Sequence, residues 1–134
     1  MARILVIDDE PGMLSVLREM LESAGHLVVE ARNGAVAVRW WREHTHEQTI
    51  DLIVTDILMP EKDGIEVIQE IRQLAPNTKV IAISGHSQVV KIPFLDVAKR
   101  LGAARTIAKP FTMETLLNVV RATLDENHSP GTVN

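Results

Sequence analysis

The chain has 134 residues, room for one ordinary domain, and 46% of them are hydrophobic, enough for a core at this size. It contains no Cys, which excludes disulfide scaffolds, thiolate metal sites and Cys nucleophiles. A net charge of −4 argues against direct, sequence-independent binding to nucleic acid, which depends on neutralising phosphates.

From the start of the chain, Arg3–Ile7 reads as a buried strand. This run is too short for an export signal and ends in carboxylates. No apolar stretch approaches the roughly 18 residues a membrane helix needs, so the expectation is a cytoplasmic protein with no membrane contact. Pro11 suits a first helical position, Leu14, Leu17 and Leu21 repeat on one face, and Gly25 is a stop signal. Leu27–Glu30 reads as an edge strand. Asn33-Gly34 turns the chain into a helix over Ala35–His44, which extends toward Gln48. Leu52–Thr55 is a second buried run. Asp63-Gly64 leads into a helix carrying Ile65, Ile68 and Ile71. Val80–Ile83 is a third buried strand, and Val89–Leu101 a less regular helix that contains Pro93. Thr106–Ala108 is the last strand. Thr112 is a plausible N-cap for a last helix with Leu116, Leu117, Val120 and Leu124. The domain is expected over 1–124, with 125–134 a polar tail or the start of a linker.

Runs of Ile, Leu and Val without polar alternation belong to parallel sheets covered on both faces. Strand and helix alternate throughout, which implies an α/β sandwich with right-handed crossovers. In such sheets ligands bind outside the carboxyl ends of the strands. Here those ends carry Asp8 and Asp9, Asp56, Ser84 and Lys109. If the strands are neighbours, all five side chains meet on one rim. Crowded carboxylates repel unless a cation offsets them, and Mg²⁺ with its oxygen ligands fits best. A Lys ammonium and a Ser hydroxyl beside them complete a phosphoryl-transfer site, with Asp56 as the nucleophile. Each piece alone has an ordinary reading, as a helix cap or a turn residue. Their joint placement, each at its own strand end, is what points to function.

The sequence resembles the receiver domains of bacterial two-component response regulators from Arg3 to about Leu124. The matching stretches begin with Ile4-Leu5-Val6-Ile7-Asp8-Asp9-Glu10, Ala31-Arg32-Asn33-Gly34-Ala35 and Asp51-Leu52-Ile53-Val54-Thr55-Asp56. They continue with Met59-Pro60, Asp63-Gly64, Ile83-Ser84-Gly85, Gly102-Ala103 and Lys109-Pro110-Phe111. The resemblance implies a flavodoxin-like doubly wound (βα)5 sandwich whose five-stranded parallel sheet has the order 2-1-3-4-5. It implies that Asp56 accepts a phosphoryl group from a sensor histidine kinase or a histidine phosphotransfer protein. Asp9, Asp56 and the backbone carbonyl of Leu58 would ligate Mg²⁺ directly, and Asp8 through water. Ser84 and Lys109 would contact the phosphoryl group, and Lys109-Pro110 would be cis. Output would pass by protein–protein contact through the fourth helix, fifth strand and fifth helix to a downstream target. Such a protein is not an enzyme in the ordinary sense, although it assists its own phosphorylation and dephosphorylation.

Several features depart from the family pattern. Thr106 stands where the family usually has an aromatic switch residue, and the chain has no Tyr. Leu58 and His86 border the approach of a hydrolytic water, and the apolar bulk of Leu58 leads us to expect a long-lived phosphorylated form. Of Trp40-Trp41, one ring is expected under the second helix and the other on the surface. His44 and His46, two apart, straddle a helix and do not suggest a metal site.

The leading expectation is a stand-alone module. The alternative is the N-terminal receiver of a longer regulator with a DNA-binding or enzymatic output domain. An aspartate-nucleophile phosphohydrolase would commonly want a second acid at Leu58.

Overall fold

The strands form where the Ile, Leu and Val runs lie, because only a covered sheet removes so many branched side chains from water. The computed structural model describes residues 2–44, 49–56, 69–70, 73–74, 78–84 and 103–127. Its strands are β1 (Arg3–Ile7), β2 (Leu27–Ala31), β3 (Leu52–Asp56), β4 (Lys79–Ser84) and β5 (Arg105–Ala108). They make a five-stranded sheet in the order β2-β1-β3-β4-β5, with every pairing parallel. This is the expected flavodoxin-like order, with β2 on an edge. Three helices are labelled here: α1 (Pro11–Ser23), α2 (Gly34–His44) and α3 (Met113–Asn127). The α3 helix continues past Leu124, where the polar tail was expected to begin.

Alternation along each strand divides the core into two layers. Ile4, Val6, Leu52, Val54, Ile81 and Ile83 pack with Leu14, Leu17 and Leu21 of α1 and Leu116 and Val120 of α3. On the other face Leu5, Ile7, Ile53, Val80 and Ala82 pack with Ala37 and Trp41 of α2. Burying a Leu or Ile side chain completely stabilises the fold by about 1.5–3 kcal/mol. Leu17, Leu21, Ile53 and Ile81 are all at or below 1% exposure, so these two layers dominate the cohesion of the domain.

Helix ends follow the sequence signals closely. Gly25, at φ 91°, closes α1: its N–H donates to the Glu22 carbonyl and that of His26 to the Leu21 carbonyl. Asn33 Oδ1 accepts the Val36 N–H at 2.8 Å to start α2. Thr112 Oγ1 accepts the Thr115 N–H at 3.0 Å to start α3, as expected of its cap. Trp41 is buried, whereas Trp40 is half-buried and stacks on His44 with ring centroids 4.7 Å apart. On the free edge of β2, the Arg18 guanidinium donates to the Val28 carbonyl at 3.1 Å and to Glu30 Oε2 at 2.6 Å. A charged side chain there blunts the edge against pairing with another chain.

The helix expected over Val89–Leu101 and the extension of α2 beyond His44 lie outside the described residues. Of the helix expected to carry Ile65, Ile68 and Ile71, only residues 69–70 and 73–74 are described, and these are helical.

At the opposite end of the sheet from the predicted site, His26 Nδ1 accepts the Ala2 N–H at 3.1 Å. Burial holds the imidazole below its ordinary value of 6.5. A lowered folded-state value favours the neutral ring. The stability it confers is therefore present above 6.5 and lost as the pH falls through the folded value. We expect the urea midpoint of the wild type to fall more steeply on acidification below pH 6.5 than that of His26→Gln. Parallel pH profiles of the two proteins would contradict this.

Candidate functional site

The parallel ladders carry the ends of β1 and β3 to the same rim, one strand apart. Asp8 and Asp9 follow β1, and Asp56 is the last residue of β3. The three carboxylates offer oxygens that lie within 4.8 Å of one another. Asp8 is fully buried, Asp56 is 4% exposed and Asp9 is half-buried.

Lys109 follows β5 and reaches across the rim. Its Nζ lies 3.1 Å from Asp56 Oδ2 and 3.3 Å from Asp8 Oδ2. Its backbone N–H donates to the Ser84 carbonyl at 2.8 Å, which ties it to the end of β4. Ser84 is the last residue of β4 and is buried. The Lys109-Pro110 bond is cis, as the resemblance implied. The rim thus brings together Asp8, Asp9, Asp56 and Lys109 directly, with Ser84 at the neighbouring strand end.

The Asp8 carboxylate is committed at both oxygens. Oδ1 accepts the Glu10 N–H at 2.9 Å and Oδ2 takes the Lys109 ammonium. Burial raises its pKa above the ordinary 3.8, and the charge of Asp56 adds to this against the opposing pull of Glu10 N–H and Lys109. For Lys109, burial alone would lower the pKa. The hydrogen bond and charge of Asp56, with those of Asp8, outweigh it and the value is raised above 10.5.

With all three acids ionised, the rim carries a formal charge of −3 + 1 = −2 once Lys109 is counted. The donors that Asp8, Asp9 and Asp56 offer are carboxylate oxygens, the kind preferred by hard divalent cations. The acidic cluster is therefore able to bind such a metal.

Two contacts here were not anticipated from the sequence. One is the Glu10 N–H, a backbone donor with no residue-type signature. The other is Thr55, fully buried on β3, whose Oγ1 donates to the Asp56 carbonyl at 3.0 Å. A hydroxyl closing the apolar run Leu52-Ile53-Val54 was its only signal. Thr106 is half-buried on β5, opposite Ala82 of β4, with no ring to move. Leu58 and His86, and with them the expected carbonyl ligand and the water approach, lie outside the described residues.

Comparison with known proteins agrees with this geometry. The family model for the response regulator receiver domain matches residues 4–121. The chain is 36% identical over 124 residues to the chemotaxis protein CheY of Bacillus subtilis (strain 168), covering 92% of this chain and 98% of that one. It is 32% identical over 129 residues to the DNA-binding transcriptional regulator NtrC of Azospirillum brasilense, covering 96% of this chain but 25% of that much longer protein. Among solved structures, a response regulator receiver domain protein from Clostridium thermocellum superposes with a TM-score of 0.85 at 29% identity, covering 96% of this chain and 98% of that one. On the sheet order, the acidic rim and these matches together, the chain belongs to the response regulator receiver domain family, the signalling modules of two-component systems.

Proposed function

We propose that the chain is a phosphorylation-switched relay module whose acceptor is Asp56. The donor is a phosphohistidine on a sensor histidine kinase or a histidine phosphotransfer protein. One observation carries this reading: the Lys109 ammonium sits between Asp8 and Asp56, 3.3 and 3.1 Å from their oxygens, beside a third carboxylate. A buried carboxylate beside an ammonium and two further acids is not the solvated turn residue of the ordinary reading, and carboxylates can serve as nucleophiles that form aspartyl-phosphate.

In the transfer, an Asp56 carboxylate oxygen forms the new P–O bond as the P–N bond to the donor imidazole breaks, and that nitrogen leaves with the bonding pair. Lys109 follows the growing negative charge, because its ammonium already lies beside Asp56 and a phosphoryl oxygen would bring more charge to the same place. Ser84 stands at the next strand end, where its hydroxyl would donate to a second phosphoryl oxygen.

The charge and the oxygen donors of the rim fit Mg²⁺. Asp9 and Asp56 would hold it with the backbone carbonyl of Leu58, and Asp8 would act through water, since both its oxygens already have partners. When bound, Mg²⁺ supplies positive charge that offsets the carboxylates and the incoming phosphoryl oxygens.

The domain proper, expected over 1–124, would run on to the end of α3 at Asn127, and output would be by protein contact through the fourth helix, β5 and the last helix, here α3, in the cytoplasm, without direct binding of nucleic acid. CheY of Bacillus subtilis matches over nearly its whole length, whereas NtrC of Azospirillum brasilense matches over a quarter. The same domain therefore serves both alone and as part of a longer regulator.

The test is intact mass after treatment with acetyl phosphate and Mg²⁺. The wild type should gain one phosphoryl group and Asp56→Asn none. Full labelling of Asp56→Asn would reassign the acceptor.

A further inference from the structure

Every residue of β3 is buried, and four of the five belong there on plain grounds: Leu52, Ile53 and Val54 fill the core and Asp56 points into the acidic rim. Thr55 does not. It is fully buried on the face that packs against α2, flanked across the ladders by Ile7 of β1 and Ala82 of β4. Its neighbour along that face is Ile53, also fully buried. A Val would fill such a place with the same shape and no polar atom. A hydroxyl held there must have a hydrogen-bond partner, because an unmet polar group in an apolar layer is costly.

Its partner is the backbone carbonyl of Asp56, 3.0 Å away. Side chains alternate across the sheet, so the Thr55 hydroxyl holds Asp56 from behind while the Asp56 carboxylate faces the acids and Lys109. That carbonyl belongs to the peptide by which the chain leaves the sheet. Its orientation sets the backbone dihedral after the Asp56 Cα, and the carboxylate moves with that Cα. The Asp56 carboxylate must meet Lys109 at 3.1 Å and lie within 4.8 Å of two other acids, a narrow target. Displacements well below 1 Å matter in such an arrangement.

We propose that Thr55 is a positioning residue for the acceptor: its hydroxyl fixes the peptide after Asp56 and so holds the carboxylate in register with Asp8, Asp9 and Lys109. This rests on the reading of Asp56 as acceptor for its consequence in phosphorylation. Its consequence for metal binding does not depend on that reading.

The experiment compares Thr55→Val and Thr55→Ser with the wild type in three measurements on the full chain. These are the melting temperature, the Mg²⁺ dissociation constant by calorimetric titration with magnesium chloride, and the initial rate of labelling by acetyl phosphate. Thr55→Val keeps the volume and removes the hydrogen bond. It should melt modestly below the wild type, because the Asp56 carbonyl loses a donor, and it should bind Mg²⁺ several-fold more weakly and label about tenfold more slowly, a loss of the size expected for removing a supporting contact. Thr55→Ser keeps the hydroxyl and loses a methyl. It should melt lower, yet bind Mg²⁺ and label nearly as the wild type does. A purely structural role predicts the opposite ordering, with Ser the more damaged in every measurement, and that result would overturn the proposal. Wild-type Mg²⁺ affinity in Thr55→Val would overturn it as well. If the wild type itself gains no phosphoryl mass, the acceptor reading fails, while the Mg²⁺ comparison between Val and Ser still decides the role of Thr55.

Discussion

Lys109→Met should lower the stability of the Mg²⁺-free protein by about 3 kcal/mol at neutral pH, the size expected when one partner is removed from a buried ion pair. Met keeps most of the stem and removes only the ammonium. The Asp8 and Asp56 side chains are 1% and 4% exposed, so water cannot take over the lost role, and the two carboxylates would face each other without the cation between them. The pH dependence has a definite sign on both sides. The Asp8 value is already raised by burial and by Asp56, so its ionisation costs stability above that value. That cost is withdrawn as the pH falls from there toward the ordinary 3.8. Without Lys109, which pulls the value down, Asp8 takes up its proton at higher pH, so the deficit of Lys109→Met should shrink as the pH falls toward the wild-type Asp8 value. On the alkaline side, the Lys109 value is raised above 10.5. Its contribution is present below 10.5 and lost as the pH rises through the folded value, so the two proteins should converge there. Added Mg²⁺ should restore much of the difference by supplying the missing charge. Urea denaturation across pH, with and without Mg²⁺, measures all of this. Equal midpoints at neutral pH without metal would show that Lys109 is not what relieves the acidic rim.

Asp9→Ala should act on the opposite quantity. We expect Mg²⁺ to bind at least about 100-fold more weakly, more than the loss of a contact that only supports a ligand. Asp9 is half-buried, and the ion pairs of Lys109 go to Asp8 and Asp56 instead. Removing it should therefore leave the fold intact and relieve some repulsion in the metal-free rim. Labelling by acetyl phosphate at limiting Mg²⁺ should fall in parallel and recover as Mg²⁺ is raised. An unchanged Mg²⁺ titration would remove Asp9 from the ligand set. The two variants separate charge balance from metal binding: one weakens the fold until Mg²⁺ is added, the other spares the fold and weakens Mg²⁺ binding.

Most of the architecture was legible because its signals are local. An unbroken run such as Leu52-Ile53-Val54, short and rich in branched side chains, fits a strand of a sheet covered on both faces. Pro11, Gly25, Asn33 and Thr112 act through their own backbone geometry or through a side-chain oxygen that accepts a backbone N–H three residues on, and each stands where its chemistry directs. The rim acids were legible for a related reason. A parallel sheet places every carboxyl strand end on one side, so reactive residues at several such ends must be near one another.

The sequence by itself determined the five strands and the helices α1, α2 and α3, the two-sided core and the rim positions of Asp8, Asp9, Asp56, Ser84 and Lys109, since all of these depend on residue type at short range. Tertiary structure alone decided how those side chains divide their bonds. That Asp8 is committed to Glu10 N–H and Lys109, while Asp9 makes neither ion pair with Lys109, depends on contacts spanning 101 residues of chain and on a backbone donor with no letter of its own. The same holds for Thr55, which in the sequence closes an apolar run and in the fold donates to the Asp56 carbonyl. A hydroxyl declares its partner only when burial removes water from the choice, and burial is a property of the assembled sheet and helices.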